Sequence, residues 1–450
     1  MTNNVTDQFV DELFNLTRTR FQESVIFQAK KCLLDYLGVT LAGARMLEGK
    51  ADALLNSLGS VEEKTSVIGF NRKASLQNAA LVNGMCAHVA ELDDGVRFGM
   101  MHPGATVLSA LLPLAEHEEL TGTDLLTGII TGYEAAIRLA SAIQPAHRNR
   151  GYHATGTCGT IGAAVGATAA LGFTESQMKN TLSVAATAAS GMLKVIKDGS
   201  ELKPFNAGNA AASGLVAAFM AQAGFEGPDD VLEGEWGLIS MMTETSDLSL
   251  LERKTSEPLG IEKIYVKLHA ACRHCHPAIE AALRIRQKTG IQGAQIKNVI
   301  VTTYGLAAGG HDHTLISGIN SAKMSTPYSV AVALMTGRAG IQEFSEKQIV
   351  DAATLSLAQK VVVSEDEALS ALVPGKRPAI VRITTSENEC YTERVDLTKG
   401  EPENPISVDE LQKKFISLAE YGNKTQVEAS QIIRYVWNLE SDLGRLFPLL

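Results

Sequence analysis

Apolar residues recur at helical spacing through the first 260 residues, and this pattern restricts the fold more than any other feature. Between residues 21 and 37 one apolar stripe consists of Phe21, Val25, Ile26, Ala29, Cys32, Leu33 and Leu37. This spacing is typical of a helix with one buried face, and Gly38 and Gly43 predict its end. The same pattern predicts further helices at 76–90, 104–119, 124–140, 157–171, 175–189, 206–223 and 228–232. Many long helices without intervening strands predict a helical bundle rather than an α/β sheet.

The pattern changes after residue 260. Residues 296–305 alternate and are rich in β-branched side chains, which predicts a strand, and residues 381–385 and 390–395 predict a hairpin. The segments PYSVAVALMTG and SEKQIVDAATLSLAQKV between them predict helices. The predicted fold is therefore mainly α: a large all-helical bundle domain of residues 1–261, completed by residues 398–450, with an inserted smaller α+β lid domain of residues 262–397.

Composition and charge exclude several classes of function. The chain has 450 residues and a formal net charge of −10, and no run of Lys and Arg offers the basic face that nucleic acid requires. Three apolar segments, 107–114, 155–173 and 181–196, are too short or too rich in small residues to predict membrane spans. The N-terminus has no signal-peptide pattern. With six cysteines expected to be reduced thiols, the sequence predicts a cytoplasmic protein that binds neither nucleic acid nor membranes.

A pair of acidic residues and a histidine form the first candidate site. In the stretch ELDDGVRFGMMHPG, Asp93, Asp94 and His102 share a loop, and Pro103 begins a helix. An aspartate can orient an imidazole and tune its pKa for acid–base catalysis, and a helix N-terminus favours an anionic ligand. The alternative is that these carboxylates only cap the following helix.

Two further stretches place polar groups before helices rich in small residues. His153 and Thr155 lie in GYHATGTCGTIGAA, where glycines allow the backbone to approach a ligand closely. No Gly-Lys-Ser/Thr follows, so this is not a P-loop, and a helix entry with a capping histidine is the alternative. Lys203 precedes the next helix and Asn209 lies on its early turns. A lysine before a buried helix is a candidate for binding a carboxylate.

The stretch HAACRHCHPAIEAAL raises the question of a metal. Cys272 and Cys275 have zinc-ligand spacing, but the sequence lacks the second ligand pair that a structural zinc site usually has, and Arg273 puts a positive charge between them. A thioredoxin-like redox pair would need a β-α-β setting that the flanking sequence supplies only weakly. The sequence instead predicts an anion-binding arrangement at a helix N-terminus, without a metal, made by Lys267, Arg273, His274 and His276.

Taken in order along the chain, these motifs resemble the MmgE/PrpD family. The motifs are ELDDG…HPG, GYHATGTCGTIGAA, LKPFNAGNAAASG, VKLHAACRHCHPAIEAA, SAKMSTPYSVAVALMTGR and TKGEPENPISVDELQKKF. The resemblance spans residues 7–447 and implies a helical domain with an α+β lid, a homodimer, and an active site between the domains without metal or organic cofactor. The positions that match the family's catalytic residues are Asp93, His102, His153, Lys203 and His276.

The resemblance implies proton transfer at a carbon next to a carboxylate. Family members include 2-methylcitrate dehydratase, cis-aconitate decarboxylase and iminodisuccinate epimerase. We therefore expect a cofactor-independent lyase of dehydratase or hydratase type that acts on a small di- or tricarboxylate. An epimerase or a decarboxylase on the same scaffold is the alternative, and a zinc-dependent or non-catalytic binding protein is the alternative from another class. The residues expected to bind substrate are Lys267, Arg273, His274, Asn209, Tyr328, Asp94 and Thr155.

Overall fold

The computed structural model describes residues 4–59, 63–197, 200–252 and 257–450, with the backbone alone at 197. The chain forms two compact units. The first consists of Met1–Lys194, Leu202–Tyr265 and Ser407–Leu450, and the second of Val195–Glu201 and Val266–Ile406. The prediction of a mainly α fold with a smaller α+β part is confirmed.

Helices make up most of the secondary structure, and the strands are short and few in the described ranges. The α-helices are α1 Val5–Thr17, α2 Glu23–Leu58, α3 Leu76–Val89, α4 Gly104–His117, α5 Gly122–Ile143, α6 Ala146–Asn149, α7 Ala154–Ala170, α8 Glu175–Ala188, α9 Lys194–Lys197, α10 Lys203–Gln222, α11 Leu238–Met242, α12 His276–Thr289, α13 Gly305–Ala308, α14 Ile319–Met324, α15 Thr326–Thr336, α16 Ala352–Ala358, α17 Glu367–Ser370, α18 Val408–Tyr421, α19 Gln426–Trp437 and α20 Leu439–Leu446. The strands are β1 Thr65–Val67, β2 Arg72–Ala74, β3 Ile296–Thr303, β4 Val361–Glu365, β5 Ala379–Thr385 and β6 Cys390–Val395.

The centre of the first unit is built by α7 and α10. Helix α7 packs against α4, α5, α8 and α10, while α10 also packs against α3 and α4. A Cβ placed on Gly162 of α7 would lie 2.8 Å from the carbonyl oxygen of Gly132 in α5. The two backbones therefore touch, and this close approach explains why the apolar segment at 155–173 is built from Ala, Gly and Thr rather than from larger side chains. Within the described ranges, no helix is both long and apolar enough to cross a membrane.

Two expectations about the first unit were wrong. Helix α2 does not end near Gly38 and Gly43 but continues to Leu58. A Cβ on Gly43 would lie 1.8 Å from the carbonyl oxygen of Cys86, so this glycine permits helix contact rather than ending the helix. Residues 228–232 were expected to be helical, but they form no helix and residues 229–232 are turns. The unforeseen strands β1 and β2 pair as a hairpin.

The second unit is a four-stranded sheet with helices packed against it. The strand order is β4-β3-β5-β6, with β3 parallel to β4 and antiparallel to β5, and β5 antiparallel to β6. Helices α12 and α15 contribute Ile285 and Leu334 to the core shared with Val299 and Val381 of the sheet. The helix expected over residues 345–361 spans only Ala352–Ala358, and strand β4, which begins at Val361, was not foreseen. Residues 398–406 belong to this unit, because the backbone N–H of residue 266 donates to the carbonyl oxygen of residue 400.

Candidate functional site

His102 is held just before α4 with its protonation pattern defined. Its Nδ1 lies 2.6 Å from the carbonyl oxygen of Asp94 and 3.4 Å from Oδ2 of Asp93. Both partners accept hydrogen bonds, so Nδ1 carries a proton, and Nε2 is the unprotonated nitrogen in the neutral form of this imidazole. The backbone N–H of His102 donates to Oγ1 of Thr155 at the start of α7, and this hydrogen bond fixes His102 beside that helix. With 14% of its side chain exposed, His102 can meet a ligand as a proton acceptor.

His88 was not foreseen from the sequence. It lies in the last turn of α3, and its Nδ1 is 2.6 Å from Oδ2 of Asp93, the carboxylate that also faces His102. Its side chain is fully buried, and its ring centroid is 5.1 Å from that of His102 and 5.9 Å from that of His153. Two imidazoles therefore face one buried carboxylate, and a third, that of His153, stacks on His88. In the sequence, the only sign of a role for His88 is that it lies five residues before Asp93. A histidine inside an apolar helix resembles an ordinary core residue.

His153 carries the opposite tautomer from His102. Nδ2 of Asn206 in α10 lies 3.0 Å from Nδ1 of His153 and 3.4 Å from the carbonyl oxygen of Met192. A carbonyl only accepts, so this amide nitrogen is a donor to both groups, and the proton of the neutral imidazole resides on Nε2. Burial lowers the pKa of His153 well below its ordinary value, helped by the nearby charges of His88 and Lys203. His153 is therefore neutral at physiological pH.

Lys203 is the first residue of α10 and donates to the carboxylate of Glu91. Both side chains are buried, with 10% and 6% exposed. Glu91 has a φ of +56°, in the left-handed region that residues other than glycine rarely adopt. Such a conformation persists where the surroundings enforce it, and it often marks a functional site. Glu91 was missed from the sequence because nothing local distinguishes it from a surface glutamate.

Asp94 supports the start of α4. Its Oδ1 accepts the backbone N–H of Gly104 at 3.0 Å, and its Oδ2 accepts the hydroxyl of Tyr133 at 2.7 Å. Burial, the largest cause, raises the pKa of Asp94 to about 7. This is the helix-capping role that the sequence left open, and Asp93 is the carboxylate that faces the imidazoles. Asn209, another expected ligand, donates to the hydroxyl of Ser190 instead, while Asn206 occupies the position beside His153.

In the second unit, the expected anion-binding residues are engaged with one another. Arg273 donates to Thr398, to Glu401 and, at 2.9 Å, to Nδ1 of His276. His276 lies at the start of α12, and its Nε2–H donates to the carbonyl oxygen of Ala271 at 3.1 Å. Burial, then the charge of Arg273, holds the pKa of His276 well below its ordinary value. The guanidinium thus joins α12 to the segment after β6 within this unit.

The remaining expected ligands of the second unit lie in separate environments. Lys267 is completely buried. The hydroxyl of Tyr328 donates to the carbonyl oxygen of Glu343 at 2.8 Å. Nδ1 of His274 lies 2.7 Å from the hydroxyl oxygen of Tyr304. The structure therefore groups Asp93, His102, His153 and Lys203 in the first unit, and the contribution of the second unit to the same site stays a prediction.

The two cysteines of the C-x-x-C stretch contact different groups. Sγ of Cys272 is 3.8 Å from Nε2 of His311, whereas Sγ of Cys275 accepts the hydroxyl of Thr326 at 3.4 Å. Cys272, His274 and His311 place their ligand atoms within 4.8 Å of one another, a spacing that could hold a metal ion. His311 was not foreseen, because it lies 39 residues beyond Cys272.

Comparison with known proteins confirms the resemblance found in the motifs. Residues 7–251 match the MmgE/PrpD N-terminal domain and residues 269–439 the MmgE/PrpD C-terminal domain. The chain is 26% identical to a cis-aconitate decarboxylase-like protein of Aspergillus oryzae, covering 92% of this chain and 90% of that one. It is 26% identical to cis-aconitate decarboxylase of Aspergillus terreus (92% and 89% covered) and 24% identical to that of Homo sapiens (92% and 88%). These relatives support an enzyme of lyase type, and the two domain matches show that the chain belongs to the MmgE/PrpD family.

Proposed function

We propose that this protein is a lyase of dehydratase type that removes a proton from the carbon next to a carboxylate of a small di- or tricarboxylate. The observation that carries the proposal is the pair of opposite tautomers at His102 and His153. In the neutral imidazoles, Nε2 of His102 is the unprotonated nitrogen and Nε2 of His153 carries the proton, so the first can act as a base and the second as a hydrogen-bond donor. An organic cofactor has no part in this chemistry.

His102 is the general base of the proposed reaction. Its Nε2 accepts the proton from the substrate carbon, and the imidazolium that forms is stabilised by the carboxylate of Asp93, 3.4 Å from Nδ1. His88 contacts the same carboxylate oxygen at 2.6 Å and so positions Asp93. The proton taken by His102 then protonates the departing hydroxyl, which leaves as water and produces a carbon–carbon double bond.

His153 and Lys203 stabilise the negative charge that develops on the substrate carboxylate. A neutral imidazole with Nε2–H donates a hydrogen bond to an enediolate-like oxygen, and the lowered pKa keeps His153 in that state. An ammonium has three donors, so Lys203 can hold Glu91 and a substrate carboxylate together. Substrate binding by residues of the second unit and assembly as a homodimer are proposed from the family resemblance, and a cytoplasmic location from the cysteines and the N-terminal pattern.

Decarboxylation is the second candidate, and the named relatives favour it, since they are cis-aconitate decarboxylases or similar to them. In that reaction carbon dioxide leaves and the carbanion takes a proton, which a protonated His102 would supply. Epimerisation needs a second proton carrier on the opposite face of the carbon. The described contacts of His153 favour a hydrogen-bond donor over such a carrier, so we rank epimerisation third.

A screen of small di- and tricarboxylates distinguishes these reactions. Hydroxy acids are incubated with the enzyme while the absorbance of a new conjugated double bond is followed, and cis-aconitate is tested for release of carbon dioxide. We expect His102→Gln to abolish whichever activity is found. His117→Gln, at a partly exposed histidine at the end of α4, is the matched control and keeps it. A His102→Gln variant with unchanged turnover would overturn the proposal.

A further inference from the structure

A cluster of one thiol and two imidazoles in the second unit has no part in the proton transfer proposed above. Cys272 and His274 come from the segment before α12, and His311 from the loop after α13. Their ligand atoms lie within 4.8 Å of one another. Cys272 and His274 are partly exposed and His311 is 8% exposed, so the cluster is sheltered yet reachable from solvent.

The hydrogen bonds behind the two imidazoles prepare their Nε2 atoms to act as ligands. Nδ1 of His311 is 2.7 Å from the carbonyl oxygen of Met324, so it carries the proton and leaves the Nε2 lone pair facing Cys272. Nδ1 of His274 is 2.7 Å from the hydroxyl oxygen of Tyr304, which can accept its proton in the same way. Histidines that bind metals usually donate their other N–H to a carbonyl or a similar acceptor.

The spacing of the cluster fits zinc. With bonds of about 2.3 Å to sulfur and about 2.0 Å to nitrogen, a tetrahedral ion separates these two ligand atoms by about 3.5 Å. The observed distance from Sγ of Cys272 to Nε2 of His311 is 3.8 Å, which a small rotation of either side chain would adjust. One thiolate and two imidazoles also form a donor set that zinc prefers to oxygen-rich sites.

The positive charge that argued against zinc in the sequence is compensated. Arg273 lies between Cys272 and His274 in the chain, but its guanidinium forms a buried ion pair with Glu401 and also donates to Thr398. Electrostatic repulsion of a dication by this arginine is therefore reduced. In place of the second ligand pair that the sequence lacks, His311 supplies a third protein ligand.

We propose that Cys272, His274 and His311 bind one Zn²⁺ ion with three protein ligands and a fourth position open to water or a carboxylate. Binding would release the thiol proton of Cys272 and fasten the loop that carries His311 to the segment before α12. The ion would thereby stabilise the folded second unit in proportion to its affinity and concentration.

Cobalt substitution tests the proposal on the full-length protein. The purified, reduced chain is stripped with a chelator and titrated with Co²⁺, and the thiolate-to-cobalt charge-transfer absorption is recorded. We expect saturation at about one equivalent and displacement of the signal by Zn²⁺. Cys272→Ser should remove the charge-transfer absorption, and Cys275→Ser, the matched control, should keep it. Tyr304→Phe should weaken affinity by about tenfold or more, because it removes the partner of His274.

The midpoint of thermal unfolding shows whether a variant that does not bind metal is still folded. Zn²⁺ should raise the midpoint of the wild-type protein and of Cys275→Ser, and leave that of His311→Gln unchanged. A His311→Gln variant with a wild-type midpoint in the metal-free state but no response to zinc would support the site. No charge-transfer absorption in the wild type, or an equal signal in Cys272→Ser, would overturn it. Catalysis by the metal-free enzyme is measured separately, so failure here leaves the proposed lyase activity untouched.

Discussion

Replacing Asp94 by asparagine should change how stability depends on pH. Burial raises the pKa of Asp94 to about 7, against 3.8 for an ordinary aspartate, and this difference corresponds to about 4 kcal/mol between the two protonation states. Because the folded state binds the proton more tightly, the stabilisation is complete below a pH of about 3.9. It is lost as the pH rises through about 7. Asparagine resembles the protonated acid and does not titrate.

The expected magnitude follows from these two pKa values. Between pH 5 and pH 8 the wild-type protein loses about 2–3 kcal/mol of stability through this one carboxyl group, and Asp94→Asn does not. The variant should therefore become more stable relative to wild type by that amount as the pH rises. The amide that replaces the carboxyl group would still offer an oxygen to the backbone N–H of Gly104, so the start of α4 should be preserved.

Urea unfolding followed by tryptophan fluorescence measures this effect. Both tryptophans lie in the first unit, and Trp437 stacks on Phe27 with ring centroids 5.2 Å apart, so its emission reports on that unit. Midpoints are compared between pH 5 and pH 8 for wild type, Asp94→Asn and the control Asp52→Asn, whose carboxylate is 47% exposed. The difference in midpoint between Asp52→Asn and wild type should not change with pH. If the difference between Asp94→Asn and wild type does not change with pH either, the raised pKa of a buried Asp94 carboxyl group is refuted.

Three further predictions test other parts of the structure. Asn206→Asp puts an acceptor beside Nδ1 of His153, so the imidazole proton moves from Nε2 to Nδ1. In steady-state assays kcat should then fall by about a hundredfold, with KM little changed. Gly43→Ala should reduce the free energy of unfolding by about 3 kcal/mol and so lower the midpoint of thermal unfolding. Gly49→Ala on the same helix is the control: its Cβ meets no neighbour, and the protein should become more stable by up to about 1 kcal/mol. Glu401→Gln leaves a buried guanidinium without its counter-charge and should cost about 3–5 kcal/mol in urea unfolding; a loss below about 1 kcal/mol would contradict the buried pair.

Most of the helices could be predicted because their apolar spacing is a local property of the sequence. The end of α2 could not, because Gly43 looks like a helix terminator until the backbone of Cys86 is seen against it. Strand β4 was not foreseen for a related reason. Its few apolar residues do not define a strand by themselves, and its parallel pairing with β3 at Val299 and Val361 is visible only in the structure.

Candidate site residues next to helix starts could be selected from the sequence, and residues identified only by their partners could not. His102 and His153 precede helices in glycine-rich or acidic stretches that the sequence displays directly. His88 is recognisable only once the chain brings Asp93 against it, and His311 only once it meets Cys272. Asn206 beside His153 was not foreseen, since the face of α10 toward His153 depends on where that helix begins.

The most direct test of the central claim is exchange of the substrate's α-proton with solvent. A polycarboxylate that the enzyme converts is incubated in deuterium oxide, and deuterium at the carbon next to the carboxylate is measured by NMR. Wild type and His117→Gln should incorporate deuterium, and His102→Gln should do so at least about a hundredfold more slowly, since its base is missing. Equal exchange by His102→Gln and wild type would contradict the assignment of His102 as the residue that moves the proton.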